Sequence, residues 1–238
     1  MSNVQKTQEI ETDSGNNILY KLGGIAAIIV LVVMLASVAG YIAWPYAAGI
    51  TPTLEIFNLV QTNIWAAFIA LDLGLSISNL VSILIYLALY IALKKVNKTF
   101  ALTALGLGLV ATVALIASRS VFEIFTLGNL YMSAGSEMEK ALYLSAGEAL
   151  LVQFHGTAWH TYMFVGAIAS LLNAVLMLRS QQFSRALAYI GIVTFSITAL
   201  FWFPVIGFGL LFLAMLCSAP YYFLLTRDFF RLAKESQS

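Results

Sequence analysis

The stretch that decides the fold is ALAYIGIVTFSITALFWFPVIGFGLLFLAMLCSAPYYFLL, which runs from Ala186 to Leu225 without a charged residue. A single helix of these 40 residues would be about 60 Å long, which is twice the ~30 Å hydrocarbon core of a bilayer. The run must therefore turn back on itself, and Pro204, Gly207 and Gly209 lie near its middle. We predict a tight hairpin at Pro204 that separates two membrane spans.

The composition of the whole chain is also typical of a membrane protein. Of the 238 residues, 61% are hydrophobic and 10% are charged, whereas soluble domains have about 25% charged residues. This composition excludes a soluble enzyme, because too few polar side chains are present to cover a soluble globule. The net charge of +1 provides no basic surface for nucleic acid. The single cysteine, Cys217, excludes a disulfide framework.

The apolar stretches predict an all-α polytopic membrane protein with a bundle of six transmembrane helices. Each stretch is close to the ~20 residues that a crossing needs, and the spans are Ile25–Trp44, Ile64–Leu93, Phe100–Ser118, Trp159–Leu178, Ala186–Phe203 and Val205–Leu225. The spans divide the chain into a disordered cytoplasmic tail at 1–21, a transmembrane domain at 22–230 and a cytoplasmic tail at 231–238. A short amphipathic helix from Glu137 is expected at the outer interface, before the fourth span.

The distribution of basic residues predicts the orientation. The segments on one side of the six spans carry ten Lys and Arg residues, and those on the other side carry two. By the positive-inside rule, both termini lie in the cytoplasm and the protein crosses a plasma or inner membrane several times. Cleavage of the first span as a signal peptide stays an alternative, because Ser37 to Gly40 are small residues, although the preceding tail is long and acidic.

Asp72 is the most informative polar residue, because an ionisable group inside a span is costly unless it is paired or faces water. Ser76, Asn79, Tyr86 and Tyr90 follow it at spacings that put them on the same helical face. One interpretation is a seam in which these groups hydrogen-bond to neighbouring helices. The other is a ligand or proton site.

Further polar groups lie towards the same outer side, and they complete the list of candidates for a buried polar site. Arg119 could pair with Glu123, four residues later, or with Asp72 at a similar depth. His155 and His160 are five residues apart and would point to different faces of one helix, which argues against a zinc pair or haem ligation. Tyr162 shares a stripe with His155. No metal and no cofactor are expected.

The segment ALDLGLSISNLVSILIYLALYIALKKVNKTFAL, from Ala70 to Leu102, resembles the bacterial and archaeal membrane family of domain of unknown function 4386. The resemblance rests on the Ala-Asp at Asp72, on the loop KKVNKTFAL at 94–102, and on the span that His155 opens and Arg179-Ser180 ends. It extends over most of the chain from about Leu22. The resemblance implies a six-span architecture and no known activity.

Three functions remain open from the sequence. The favoured hypothesis is a protein that binds a lipid or small apolar ligand between helices near the outer leaflet, or that docks beside another membrane protein. The alternative is a membrane-embedded hydrolase that uses Asp72 and His155. A transporter is the weakest of the three, because no convincing internal repeat is present.

Overall fold

The computed structural model describes residues 3–202 and 207–236, and every regular element in these ranges is helical. The predicted turn at Pro204 lies outside the described residues. In chain order the elements are α1 (Asn3–Ala43), α2 (Thr53–Thr62), α3 (Ile64–Ala70), α4 (Leu73–Leu93), α5 (Lys98–Ala117), α6 (Val121–Ser133), α7 (Glu137–Gln153), α8 (Thr157–Arg179), α9 (Arg185–Ala199), a 3₁₀ turn (Leu200–Trp202) and α10 (Gly207–Glu235).

Four helical stretches of the described residues are long and apolar enough to cross a membrane. They are Gly15–Ala43, Leu73–Leu93, Lys98–Ser133 and Glu137–Arg179. The helix α9 is apolar but has only 15 residues. The structure therefore supports an all-helical protein with several potential membrane spans.

The chain forms two compact units. The first, called unit 1, contains the start of the chain up to Leu31, the segment Leu80–Thr112 and the segment from Met163 onward. The second, called unit 2, contains Val32–Asn79 and Val113–Tyr162. Each unit has its own apolar core.

Close backbone approach shapes the core of unit 1. Ala26, Ala88, Leu93 and Phe229 are among its fully buried side chains. A Cβ atom on Gly23 of α1 would lie only 2.6 Å from the Cβ of Ala88 on α4. Small residues at such a crossing are typical of helix packing in membranes, where backbones gain van der Waals contact by approaching closely.

Parts of the segments predicted as tails, 1–21 and 231–238, pack in the core of unit 1. Asn17 and Tyr20 of α1 are buried, and the Asn17 amide donates hydrogen bonds to the Ala233 carbonyl and the Ser236 hydroxyl. Leu232 and Ala233 of α10 are buried as well. The polar composition of both segments is typical of exposed tails, so it did not indicate these contacts. The Asn17 amide instead satisfies the Ala233 carbonyl near the end of α10.

Unit 2 is built around four short helices, of which the sequence predicted one. The helices α2, α3, α6 and α7 enclose a core that includes Ile56, Phe57, Ile124 and Leu151. The helix α7 begins with a capping box, in which the Ser136 hydroxyl accepts from the amide of Glu139 and the Glu139 carboxylate accepts from the amide of Ser136. The helix α7 thus begins at Glu137, and it packs against α2 and α6.

Candidate functional site

The predicted span Ile64–Leu93 is wrong as a single helix, because the chain breaks at Leu71 and Asp72. The helix α3 ends at Ala70 and α4 begins at Leu73. Between them Asp72 has a φ of 55°, and it is the one non-glycine residue of the described chain with positive φ. The amide of Ala48 donates to the carbonyl of Ala70, at the end of α3, with a distance of 2.8 Å. Asp and Asn tolerate this left-handed conformation better than most residues, which explains why a break can occur here.

Both carboxylate oxygens of Asp72 have partners from other parts of unit 2. The hydroxyl of Tyr41, near the end of α1, donates to Oδ1. The Nη2 atom of Arg119 lies 3.1 Å from Oδ2. The side chain of Asp72 is 19% exposed and that of Arg119 only 1% exposed, so the ion pair is largely shielded from solvent. We call these three residues the polar centre.

Arg119 lies in the short connection between α5 and α6, rather than on a continuous helix with Glu123. Because α5 ends at Ala117 and α6 begins at Val121, the two residues do not share the helical face that an i,i+4 pair needs. Glu123 is exposed on α6. Asp72 and Glu123 were the two predicted partners of Arg119, and the structure pairs Arg119 with Asp72.

The remaining contacts of Arg119 hold the turn between α7 and α8. Its Nη1 atom donates to the carbonyl of Phe154 at 2.8 Å and to the hydroxyl of Ser118 at 2.9 Å. The guanidinium carbon lies 5.0 Å from the centroid of the Phe154 ring and 4.4 Å from that of the Trp159 ring, within the range of cation–π attraction. The Nε atom has no hydrogen-bond partner among the described residues. A buried guanidinium with this set of contacts depends on its carboxylate.

The two histidines have different environments. His155 is in the turn between α7 and α8, where its ring meets that of Trp159 edge-on at 6.1 Å. It is within electrostatic range of Asp72 and Arg119. The Nδ1 atom of His160 lies 3.0 Å from the carbonyl of Gly156, so His160 interacts with the first turn of its own helix.

The other polar candidates are more dispersed. Tyr162 stacks its ring against Trp159 at 5.6 Å and is within electrostatic range of Arg119. The amide of Asn79 donates to the carbonyl of Leu75 in its own helix, at 3.0 Å. The hydroxyl of Ser76 donates to the carbonyl of Asp72, which directly precedes α4. The stripe that follows Asp72 therefore satisfies its polar groups partly along α4.

A cleft of about 350 Å³ lies in unit 2, between residues 49–54 and one face of α7. Gly49 has a φ of 74°, and a Cβ atom at this position would lie 2.9 Å from Nδ1 of His155 and 3.0 Å from the carbonyl of Leu151. Both the backbone conformation and the lack of space require glycine here. The loop that forms one wall of the cleft is therefore in contact with His155. His155 follows Phe154, whose carbonyl group accepts a hydrogen bond from Arg119.

Tyr41 is not among the sequence-based candidates for the buried polar site, although its hydroxyl donates to Asp72. A tyrosine near the end of a span is usually interfacial, so only its depth relative to Asp72 could have indicated the hydrogen bond. Within residues 3–202 and 207–236, no three His, Cys, Asp or Glu side chains lie close enough to hold a metal ion.

Comparison with known proteins identifies a family but no characterised relative. No curated protein and no solved structure matches the chain. The sequence profile described as Domain of unknown function (DUF4386) matches residues 25–223, which is most of the chain. The resemblance noted between Ala70 and Leu102 is therefore confirmed, and the chain belongs to the DUF4386 family.

Proposed function

We propose that this protein is a multi-pass protein of the plasma or inner membrane that binds a lipid or another small, largely apolar molecule in the cleft of unit 2. Both termini lie in the cytoplasm, and the six spans follow the sequence analysis except that the second is α4, from Leu73 to Leu93. The polar centre is the structural support of the binding site. The observation that carries the proposal is the chain of contacts from Asp72 through Arg119 to the wall of the cleft.

Helix lengths support placing the polar centre at the outer edge of the membrane. The helix α4 extends 21 residues from Leu73 to Leu93, next to Lys94, and α5 extends 20 residues from Lys98 to Ala117. Each is about 30 Å long, which equals the thickness of the hydrocarbon core. If the lysines lie at the cytoplasmic surface, Asp72 and Arg119 both come to lie at the opposite surface.

The contacts of Arg119 support a role for the polar centre in shaping the cleft. Arg119 fixes the carbonyl of Phe154, and Phe154 lies between Leu151, which lines the cleft, and His155, which contacts the Gly49 loop. Breaking the ion pair would therefore loosen both walls. This arrangement favours binding over hydrolysis, because the oxygens of Asp72 are engaged by Tyr41 and Arg119 instead of orienting His155 as a base.

The exposed face of α7 supports contact with the outer lipid surface. Met138, Leu142 and Val152 are exposed apolar residues on one stripe of this helix. Charged residues such as Glu137 and Glu148 flank the stripe, as in helices that lie in a membrane interface. Lipid could then reach the cleft from the leaflet without crossing water.

Binding in the cleft predicts that filling it expels the bound molecule. Val152 lines the cleft and Leu142, on the same helix, does not, yet both side chains are 65% exposed. We expect Val152→Trp to lower the amount of co-purified lipid several-fold, measured by mass spectrometry of extracts from protein in maltoside micelles. Leu142→Trp should retain it. Equal lipid content in the two variants would contradict the proposal.

The orientation predicts which positions an impermeant thiol reagent can reach in intact cells. In a Cys217→Ser background, a cysteine at Ser136 should be labelled from outside. Cysteines at Lys98 and Ser180 should be labelled only after the membrane is permeabilised, because the positive-inside rule places both in the cytoplasm. Labelling of Lys98→Cys in intact cells would show that the orientation is reversed.

A further inference from the structure

We propose that the ligand of the cleft is an organic cation: an ammonium group carried on an apolar chain, with Glu148 as its counter-charge. This inference rests on the proposed function, since it specifies the chemistry of the molecule that the cleft binds. It follows from the walls of the cleft, its size and its single charge.

The first wall is a turn whose conformation is fixed before any ligand arrives. The amide of Ala47 donates to the hydroxyl of Thr51 at 3.0 Å, and the amide of Thr51 donates to the carbonyl of Ala47 at 2.8 Å. Gly49, between them, is held against His155 and Leu151. A wall closed by reciprocal hydrogen bonds loses little entropy on binding, which favours a preformed site.

The second wall is one face of α7, and it contains the charge. Leu144, Glu148, Leu151 and Val152 line the cleft at positions i, i+4, i+7 and i+8, which is the pattern of a single helical face. Glu148 is the only charged residue that lines the cleft. The nearest basic residue towards the start of α7, Lys140, is already paired with Glu137 at 2.9 Å.

Glu148 is an exposed residue at the rim of the cleft, and its carboxylate forms no ion pair and no side-chain hydrogen bond with the described residues. An anionic ligand would be repelled by it, and a neutral one would gain nothing from it. A cation gains Coulomb attraction, and a primary ammonium also donates a charge-assisted hydrogen bond. The charge of the cleft therefore selects the sign of the ligand.

The rest of the lining selects an apolar chain of limited size. Ile50, Leu54, Leu144 and Val152 present aliphatic side chains beside two threonines, Thr51 and Thr53, and the volume of about 350 Å³ is at the small end of ligand sites. A short alkyl chain fits this space, whereas a complete two-chain lipid could insert only one end. The same chemistry is available from a water-soluble alkylamine or from the amine headgroup region of a lipid.

The test measures binding of four probes with the same chain to the full-length protein in maltoside micelles. The probes are hexylamine, hexyltrimethylammonium, hexanol and hexyl sulfate, and titration calorimetry gives each Kd. We expect the two cations to bind, hexanol to bind roughly tenfold more weakly and hexyl sulfate not to bind. Adding phosphatidylethanolamine to the micelles should displace hexylamine if the natural source is a lipid, and leave it bound if the source is a soluble amine.

Glu148→Gln is the decisive variant, because it keeps the shape of the side chain and removes the charge. Its affinity for hexylamine should fall to that of hexanol, roughly tenfold, while its affinity for hexanol stays unchanged. Glu55→Gln is the matched control and should bind as the unmodified chain does, because Glu55 is exposed on α2 and lies outside the cleft lining.

The outcomes separate the two proposals. If hexanol binds as tightly as the cations, or if Glu148→Gln has no effect on hexylamine binding, the cation inference is wrong. The cleft is still a binding site in that case if Val152→Trp abolishes hexanol binding. If no probe binds and Val152→Trp leaves the co-purified lipid unchanged, both the inference and the proposed function are wrong.

Discussion

Replacing Arg119 by leucine is expected to destabilise the protein by about 3–5 kcal/mol, because it leaves the carboxylate of Asp72 shielded from solvent without its cation. It also removes the hydrogen bond to the carbonyl of Phe154. The loss can be measured by denaturant titration in maltoside micelles with a probe of helix content. Leucine keeps the apolar bulk against Trp159, so the effect reports the charge and the hydrogen bonds rather than a cavity.

Asp72 variants provide the control for this prediction. Asn tolerates positive φ and can still accept from Tyr41, so Asp72→Asn should cost less than Asp72→Ala or Arg119→Leu. In the double variant Asp72→Asn, Arg119→Leu the effects should be clearly less than additive, since the uncompensated charge is gone. A cost below about 1 kcal/mol for Arg119→Leu would mean that water or lipid headgroups already satisfy Asp72, as at exposed ion pairs.

Asp228→Ala is expected to have the second large effect, also about 3 kcal/mol or more, on the stability of unit 1. The side chain of Asp228 is completely buried, and its Oδ2 atom accepts from the amide of Ser184 at 2.8 Å. Its Oδ1 atom accepts from Nε and Nη2 of Arg227. Alanine would leave the Ser184 amide, at the N-cap of α9, without an acceptor.

The matched control for Asp228 is Glu235→Ala. Glu235 forms an ion pair with Arg231 at 3.6 Å, but its side chain is 62% exposed, so its loss should cost less than about 1 kcal/mol. Limited proteolysis in the 179–185 loop reports the same interaction locally and should accelerate only in Asp228→Ala. Equal proteolysis of the two variants would mean that Asp228 does not hold this loop.

Several long apolar helices could be predicted from the sequence because length and apolarity alone define them. The predicted Phe100–Ser118 and Trp159–Leu178 agree with α5 and α8 within two residues at each end. Membranes impose this regularity, since every buried backbone group must be satisfied within the helix. The proximity of Asp72 and Arg119 could be anticipated for a related reason. Each lies about one span length along the chain from the lysines at 94–98, so both are expected at the opposite surface.

What the sequence could not reveal depends on contacts between distant segments. The break at Asp72 is hidden in an unbroken apolar run, and it depends on Tyr41 and Arg119, which are 31 and 47 residues away. The burial of Asp228 is hidden for the opposite reason, because Arg227 and Arg231 make its surroundings look like an exposed loop. The cleft requires the Gly49 turn to meet α7, a contact that no local pattern encodes.

The break between α3 and α4 has a mechanical consequence. A continuous helix transmits torque along its axis, because each turn is hydrogen-bonded to the next. Between Ala70 and Leu73 this ladder is interrupted, so a rotation of α3 is not passed rigidly to α4. The side chain of Asp72 is bound by Tyr41 and Arg119. These contacts then fix the rotation of α3 relative to α4.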